Sequence, residues 1–203
     1  MLYTQNVDAK LLELLDGLMQ SDTFKGFNLV GGTALALQIG HRLSVDIDLF
    51  GNSEINEIEF AQELSLFGKT IVLKKSKNII IYTVNGIKID FVNYNYPLLK
   101  KTETVDSIRL ASLEDIAAMK LNAISGRGSK KDFIDLYFLL KNFSLKEMID
   151  FYAKKYEDGS SFLVIKSLTY FEDAEKDEMP IMTKPITWAN IKDSILREAT
   201  KLK

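Results

Sequence analysis

Gly31-Gly32-Thr33-Ala34-Leu35-Ala36-Leu37, followed by His41-Arg42-Leu43-Ser44-Val45-Asp46-Ile47-Asp48-Leu49-Phe50, is the stretch that decides how this chain reads. The alternation over 44–50 predicts a strand. Strand side chains point to opposite faces in turn, so Asp46 and Asp48 share one face while Val45, Ile47 and Leu49 take the other. Two neighbouring carboxylates repel and raise each other's pKa unless a cation lies between them, and a divalent metal is the usual one. A solvated edge-strand face is the plainer reading of such a pair. The apolar flanks, ending in Phe50, favour a buried strand, where an unpaired carboxylate is expensive. Upstream, Gly31-Gly32 closes a short strand over 27–30 and opens a helix over 33–40. Glycine lets the backbone approach a ligand, and the N-terminus of a helix favours an anion. The turn therefore suits a nucleotide phosphate, although a plain strand-to-helix turn has the same sequence.

The rest of the first half is rich in β signals. Helical spacing covers 7–20 and 58–67, and strands are expected over 70–74, 78–84 and 87–93. Asn85-Gly86 is a two-residue hairpin signal. In the last of these strands Ile87, Ile89 and Phe91 take one face, with Lys88, Asp90 and Asn93 off it. Asp90 is then a third carboxylate with the polarity to join Asp46 and Asp48. Three carboxylates could bind two Mg²⁺ ions; an ordinary surface residue beside Lys88 is the other reading.

After Pro97 helices dominate. Ser112 with Asp115, Ser129 with Asp132, and Ser144 with Glu147 have the spacing of helix N-caps. Further helices are expected over 160–170 and 187–199, around an acidic loop over 173–185. The expected architecture is α+β: a mixed β-sheet core with flanking helices over 1–105, and an α-helical lobe over 106–203 packed on it. In this lobe Lys120 either snorkels from an apolar helix face or points a cation at a phosphate. Asp132 and Asp135 lie one turn apart. With Lys120 and Arg127 they could form a polar cluster facing the metal site of the sheet.

The composition bounds the function. The 203 residues are 46% hydrophobic and 27% charged, as in a globular protein and unlike a disordered one. The formal net charge of −2, from 26 basic and 28 acidic residues, is not that of a general nucleic-acid binder. It leaves room for RNA gripped by a local basic cluster, for which Lys120, Arg127, Lys130 and Lys131 are the candidates. The absence of cysteine excludes disulfides, thiolate catalysis and cysteine-ligated zinc. His41 is the only histidine, which argues against a histidine zinc site. No apolar run reaches the roughly 18 residues of a membrane span, and the N-terminus lacks a signal-peptide pattern. A cytoplasmic location without membrane contact is expected.

In order, these segments resemble motif I of the minimal nucleotidyltransferases of the DNA polymerase β superfamily and, more narrowly, the AbiEii/AbiGii toxin family. The narrower match rests on Leu113–Lys120, on Arg127-Gly128-Ser129-Lys130-Lys131-Asp132-Phe133-Ile134-Asp135-Leu136, and on Leu168–Glu175. The resemblance implies a nucleotidyltransferase fold with a helical lobe, NTP as substrate with Mg²⁺ or Mn²⁺, and the toxin role of a toxin–antitoxin pair linked to abortive phage infection. It implies a cognate antitoxin encoded nearby and, as in some relatives, the 3′ end of tRNA as acceptor. It assigns phosphate binding to Gly31, Gly32 and Thr33, metal binding to Asp46 and Asp48, triphosphate contact to Lys120, and a late catalytic motif to Asp132. Asp90 is the third metal and catalytic candidate, and Arg127 joins the nucleotide-binding set. Thr33 stands where the superfamily often has serine, which keeps the hydroxyl. The rival expectations are a small-molecule or protein hydroxyl as acceptor, and a non-catalytic member that binds a partner.

Overall fold

The structure is a computed structural model and describes residues 1–202. It divides into two compact units: Met1–Tyr96 with Thr102–Ala111, and Pro97–Lys101 with the chain from Ser112 onward. Among the described residues no helix is long and apolar enough to cross a membrane.

The first unit contains α1 (Ala9–Gln20), β1 (Asn28–Val30), α2 (Gly31–Ile39), β2 (Asp46–Gly51), α3 (Glu57–Ser65), β3 (Thr70–Lys75), β4 (Ile79–Val84), β5 (Ile87–Asn93), β6 (Glu103–Val105) and β7 (Ile108–Leu110). The strands form one sheet in the order β3-β4-β5-β2-β1-β7-β6. It is mixed: β2 runs parallel to β5 and antiparallel to β1, while β7 runs parallel to β1. This is the expected α+β architecture, with β2 in the middle of the sheet.

One face of the sheet is the core. Ile47, Leu49, Ile89, Phe91, Ile80 and Tyr82 are buried on it. Phe24, Phe60 and Phe91 form a mutual ring cluster with centroids 4.8–5.1 Å apart. Burying each such ring contributes about 1.5–3 kcal/mol. The predicted β4–β5 turn forms: Asn85 (φ 50°) and Gly86 (φ 87°) take the left-handed conformations a type I′ turn needs, and Val84 pairs with Ile87. Asn93, expected on the polar side, has the parity of Phe91 and buries its Oδ1.

The β6–β7 hairpin did not register in the sequence. It belongs to this unit because β7 pairs with β1 and because Arg109 donates to three carbonyls. These are Phe27 O (3.0 Å), Met19 O (2.6 Å) and Phe24 O (3.0 Å).

The second unit is helical: α4 (Leu113–Gly126), α5 (Lys130–Leu139), α6 (Leu145–Lys155), α7 (Ser161–Ser167), α8 (Glu172–Glu175) and α9 (Trp188–Thr200). The Ser144–Glu147 capping box forms in full. Ser112 caps α4 by accepting from Asp115 N (3.0 Å). Asp115 does more than its capping spacing suggests. Its carboxylate is fully buried, pairs with Lys155 Nζ (2.7 Å) and accepts from Leu99 N (3.0 Å) and Lys100 N (3.2 Å). Lys155 also donates to Pro97 O (2.7 Å). This buried ion pair fastens 97–101 to α4 and α6, which is why that segment belongs to the second unit.

Candidate active site

In the first unit the sheet register brings the three predicted carboxylates together. Asp46 and Asp48 share a face of β2, and across the parallel β2–β5 pair Asp48 is opposite Asp90 while Asp46 is opposite Lys88. All three aspartates are half-buried. Lys88 Nζ contacts Asp90 Oδ1 at 2.5 Å, with the two side chains 37% and 19% exposed. Lys88 lies on the same side of β5 as Asp90, where the alternation of this strand is expected to put it. It is a cation directly in register with the carboxylates, opposite Asp46 and paired with Asp90.

The Gly-Gly turn meets the same carboxylates. Gly31 has φ +68°, and a Cβ built on it would fall 2.2 Å from Asp48 Oδ2. Only glycine gives both that conformation and that approach. A Cβ on Gly32 would fall 2.5 Å from Arg42 Nη2. No side chain caps α2, which starts at Gly31, so its first amides are oriented as an anion site requires. The Thr33 side chain points into the core. It is fully buried, its Oγ1 lies 2.9 Å from Ser44 Oγ, and it donates to the Asp46 carbonyl. The hydroxyl ties α2 to the start of β2 and so positions Asp46. His41 is also fully buried.

The donor set fits a hard divalent cation: oxygen ligands only, two from one strand and a third in register on the next. Among the described residues no three acidic or histidine side chains are closed around a common point, and Asp90 is held by Lys88.

In the second unit, Lys120, Arg127, Asp132 and Asp135 form the predicted cluster. Lys120 Nζ lies 3.1 Å from Asp132 Oδ1 and 2.6 Å from Asp135 Oδ2, with its side chain only 7% exposed. Arg127 donates to both oxygens of Asp132, Nε to Oδ2 (2.8 Å) and Nη2 to Oδ1 (3.0 Å); Ser129 Oγ donates to Oδ2 (2.7 Å). Burial pushes the Asp132 carboxyl up, but Lys120, Arg127 and Ser129 outweigh it and hold it down at about 2. Two cations meet two anions, and Arg127, 69% exposed, is the member that reaches solvent.

The basic cluster expected over 120–131 is not a basic surface. Lys120 is buried as described. Lys130 is buried as well: its backbone N donates to Asp177 Oδ2 (2.9 Å), its ammonium donates to the Asp177 carbonyl, and it lies 5.4 Å from the centre of the Trp188 ring. Backbone carbonyls of Glu175 and Asp177, 45 and 47 residues away, accept from that ammonium, which a local reading of the sequence cannot detect. Only Arg127 and Lys131 remain as accessible cations of that group.

The chain has the fold of nucleotidyltransferases. JHP933 from Helicobacter pylori superposes with a TM-score of 0.61 at 17% identity, covering 95% of this chain and 88% of that one. The antibiotic-resistance factor ANT(2'')-Ia superposes with a TM-score of 0.53 at 14% identity, covering 72% and 91%. A protein of Aquifex aeolicus (strain VF5) is 38% identical over 171 residues, 81% of this chain and 83% of that protein. Residues 13–202 match the family described as nucleotidyl transferase AbiEii toxin, Type IV TA system, and the chain belongs to that family. It is a nucleotidyltransferase.

Proposed function

We propose that the protein transfers NMP from an NTP to a hydroxyl of tRNA, as the toxin of a toxin–antitoxin pair whose antitoxin is encoded nearby and whose action aborts phage infection. The observation that carries this reading is the placement of Asp46, Asp48 and Asp90 on one sheet face, with Gly31 against Asp48 at the uncapped start of α2.

The amides of Gly31 and Gly32 bind the triphosphate, and Thr33 keeps Asp46 in place. Asp46 and Asp48, with Asp90, would hold Mg²⁺ or Mn²⁺, which when bound supplies charge neutralisation on the phosphates. Asp90 accepts the proton of the acceptor hydroxyl once Lys88 turns away from it. The acceptor oxygen forms its bond to the α-phosphorus as the bond to the β-phosphate oxygen breaks, and pyrophosphate leaves. Such chemistry rests on positioning and electrostatics. The nucleotide and catalytic roles implied for Lys120, Arg127 and Asp132 stay part of the proposal. Within that set Arg127 has the exposed guanidinium to offer an anion.

The burial of Lys120 and Lys130 favours a second reading, a small hydroxylic acceptor in place of RNA. Incubation with each α-labelled NTP, Mg²⁺, total tRNA and a pool of small hydroxylic compounds separates the two. Label in tRNA with at least one nucleotide is the expected result. Label in the small pool alone, or in nothing, overturns the tRNA reading.

A further inference from the structure

The sheet face that carries the aspartates extends beyond them in two directions, and neither extension has a role in the transfer step. Along the strands, Phe50 has the parity of Asp46 and Asp48, which places it about 7 Å beyond Asp48 on the same face. Tyr94 has the parity of Asp90 and keeps the strand pairing by donating its N–H to Gly51 O (2.8 Å). Phe50 and Tyr94 have ring centroids 5.1 Å apart, and Tyr94 and Tyr96 5.2 Å apart. The first two rings are half-buried and Tyr96 is 40% exposed. They make a row of three part-exposed aromatic rings that starts one side-chain step from the carboxylates.

Across the strands, one rung of the ladder reads Asp48, Asp90, Ile81, Lys74. Residues opposite one another point the same way, so Lys74 faces the side of Asp90, two strands and about 10 Å away. Lys77 follows in the β3–β4 turn, and both lysines are exposed. Lysine on an edge strand also discourages edge-to-edge pairing; the salt dependence below separates that duty from ligand binding.

We propose that this face is the acceptor track, where bases near the end of a single-stranded nucleic acid stack on Phe50, Tyr94 and Tyr96 and its backbone phosphates meet Lys74 and Lys77. Stacked aromatics beside a cationic strip are how sequence-tolerant single-strand binding is built. A row three rings wide and bounded by charge suits a base better than an apolar protein surface. The track rests on the RNA-acceptor reading above, and it supplies from the first unit the cations that the buried Lys120 and Lys130 do not.

The test is binding of a short 5′-fluorescein-labelled single-stranded RNA, followed by anisotropy across a salt series, with thermal melts to verify folding. Tyr96→Ala should weaken binding about tenfold and leave the salt slope unchanged. Tyr96→Phe should restore it. Lys74→Gln with Lys77→Gln should lower the slope of log K against log salt by about 1.4, from two phosphate contacts at roughly 0.7 each. Parent-like binding and slope in all of these variants overturns the track and leaves the RNA acceptor standing. A parent that binds no RNA removes both. Loss of self-association in the Tyr96→Ala variant, with RNA binding intact, assigns the face to protein contact and overturns the proposal.

Discussion

The chain holds two groups of aspartates that look alike in sequence and differ in structure. Asp132 and Asp135 are buried against Lys120, with Arg127 and Ser129 completing the partners of Asp132. Asp46, Asp48 and Asp90 lie half-buried on an open sheet face, where Lys88 is the neighbouring cation. The first group balances its own charge inside the helical unit, so it acts as a brace alongside the nucleotide role proposed for it. The second gathers three carboxylates in register on a part-exposed sheet face beside the Gly31 turn, the arrangement of oxygen donors that a divalent cation uses. A carboxylate's role thus follows from whether the fold buries it against cations or leaves it part-exposed on a shared face.

The largest expected effect lies on the open group. Asp48→Asn or Asp46→Asn should lower nucleotide transfer about 1,000-fold or more, the loss of several kcal/mol of transition-state charge stabilisation. The melting temperature should stay within a degree or two of the parent's. A large fall in stability with transfer retained would break the comparison from this side.

Next comes the closed group. Asp132→Asn leaves Lys120 and Arg127 facing a neutral amide and should destabilise the protein by about 3 kcal/mol or more, read from urea unfolding. A neutral outcome would mean that the cluster is no brace.

Acid sharpens the same point. The Asp132 carboxyl lies at about 2 in the folded protein against 3.8 ordinarily, so the unfolded chain binds the proton first as pH falls. The stability this gives is fully present above the ordinary value and is lost as pH drops from about 4 towards 2. It amounts to about 2 kcal/mol. Urea unfolding at pH 6 and pH 3 should show about half of this loss, roughly 1 kcal/mol, in the parent and not in Asp132→Asn.

The smallest effect is expected at Lys88. Its pair with Asp90 is part-exposed, so Lys88→Met should change stability by less than about 1 kcal/mol and tighten Mn²⁺ binding, because Asp90 loses its competing cation. A destabilisation as large as that of Asp132→Asn would make the open face structural too.

Much of this was legible in the sequence because it is local. The Asn85-Gly86 turn, the Ser144–Glu147 box and the alternation that aligns Asp46 with Asp48 depend on residues two to four apart. Parity gave the side of its strand on which Asp90 lies; that β5 is the neighbour of β2, with Asp90 opposite Asp48, is set by the sheet topology, which parity does not fix. The features that escaped are made by distant partners. Lys155 reaches Asp115 across 40 residues and Asp177 takes Lys130 across 47, which turned an apparent basic cluster into buried structure. The β6–β7 hairpin turns at Asp106 (φ 48°) and Ser107 (φ 67°), without the glycine that would have marked it. Thr33 kept the hydroxyl that a phosphate site calls for, but burial directs it to Ser44 and Asp46.

Mn²⁺ binding in the presence of a non-hydrolysable NTP, followed by electron paramagnetic resonance, tests the distinction most directly. The parent and Asp132→Asn, measured under conditions where both are folded, should bind the ion comparably, and Asp48→Asn should lose it. Equal binding by Asp48→Asn and the parent, or loss confined to Asp132→Asn, would contradict the assignment of the metal to the open carboxylates.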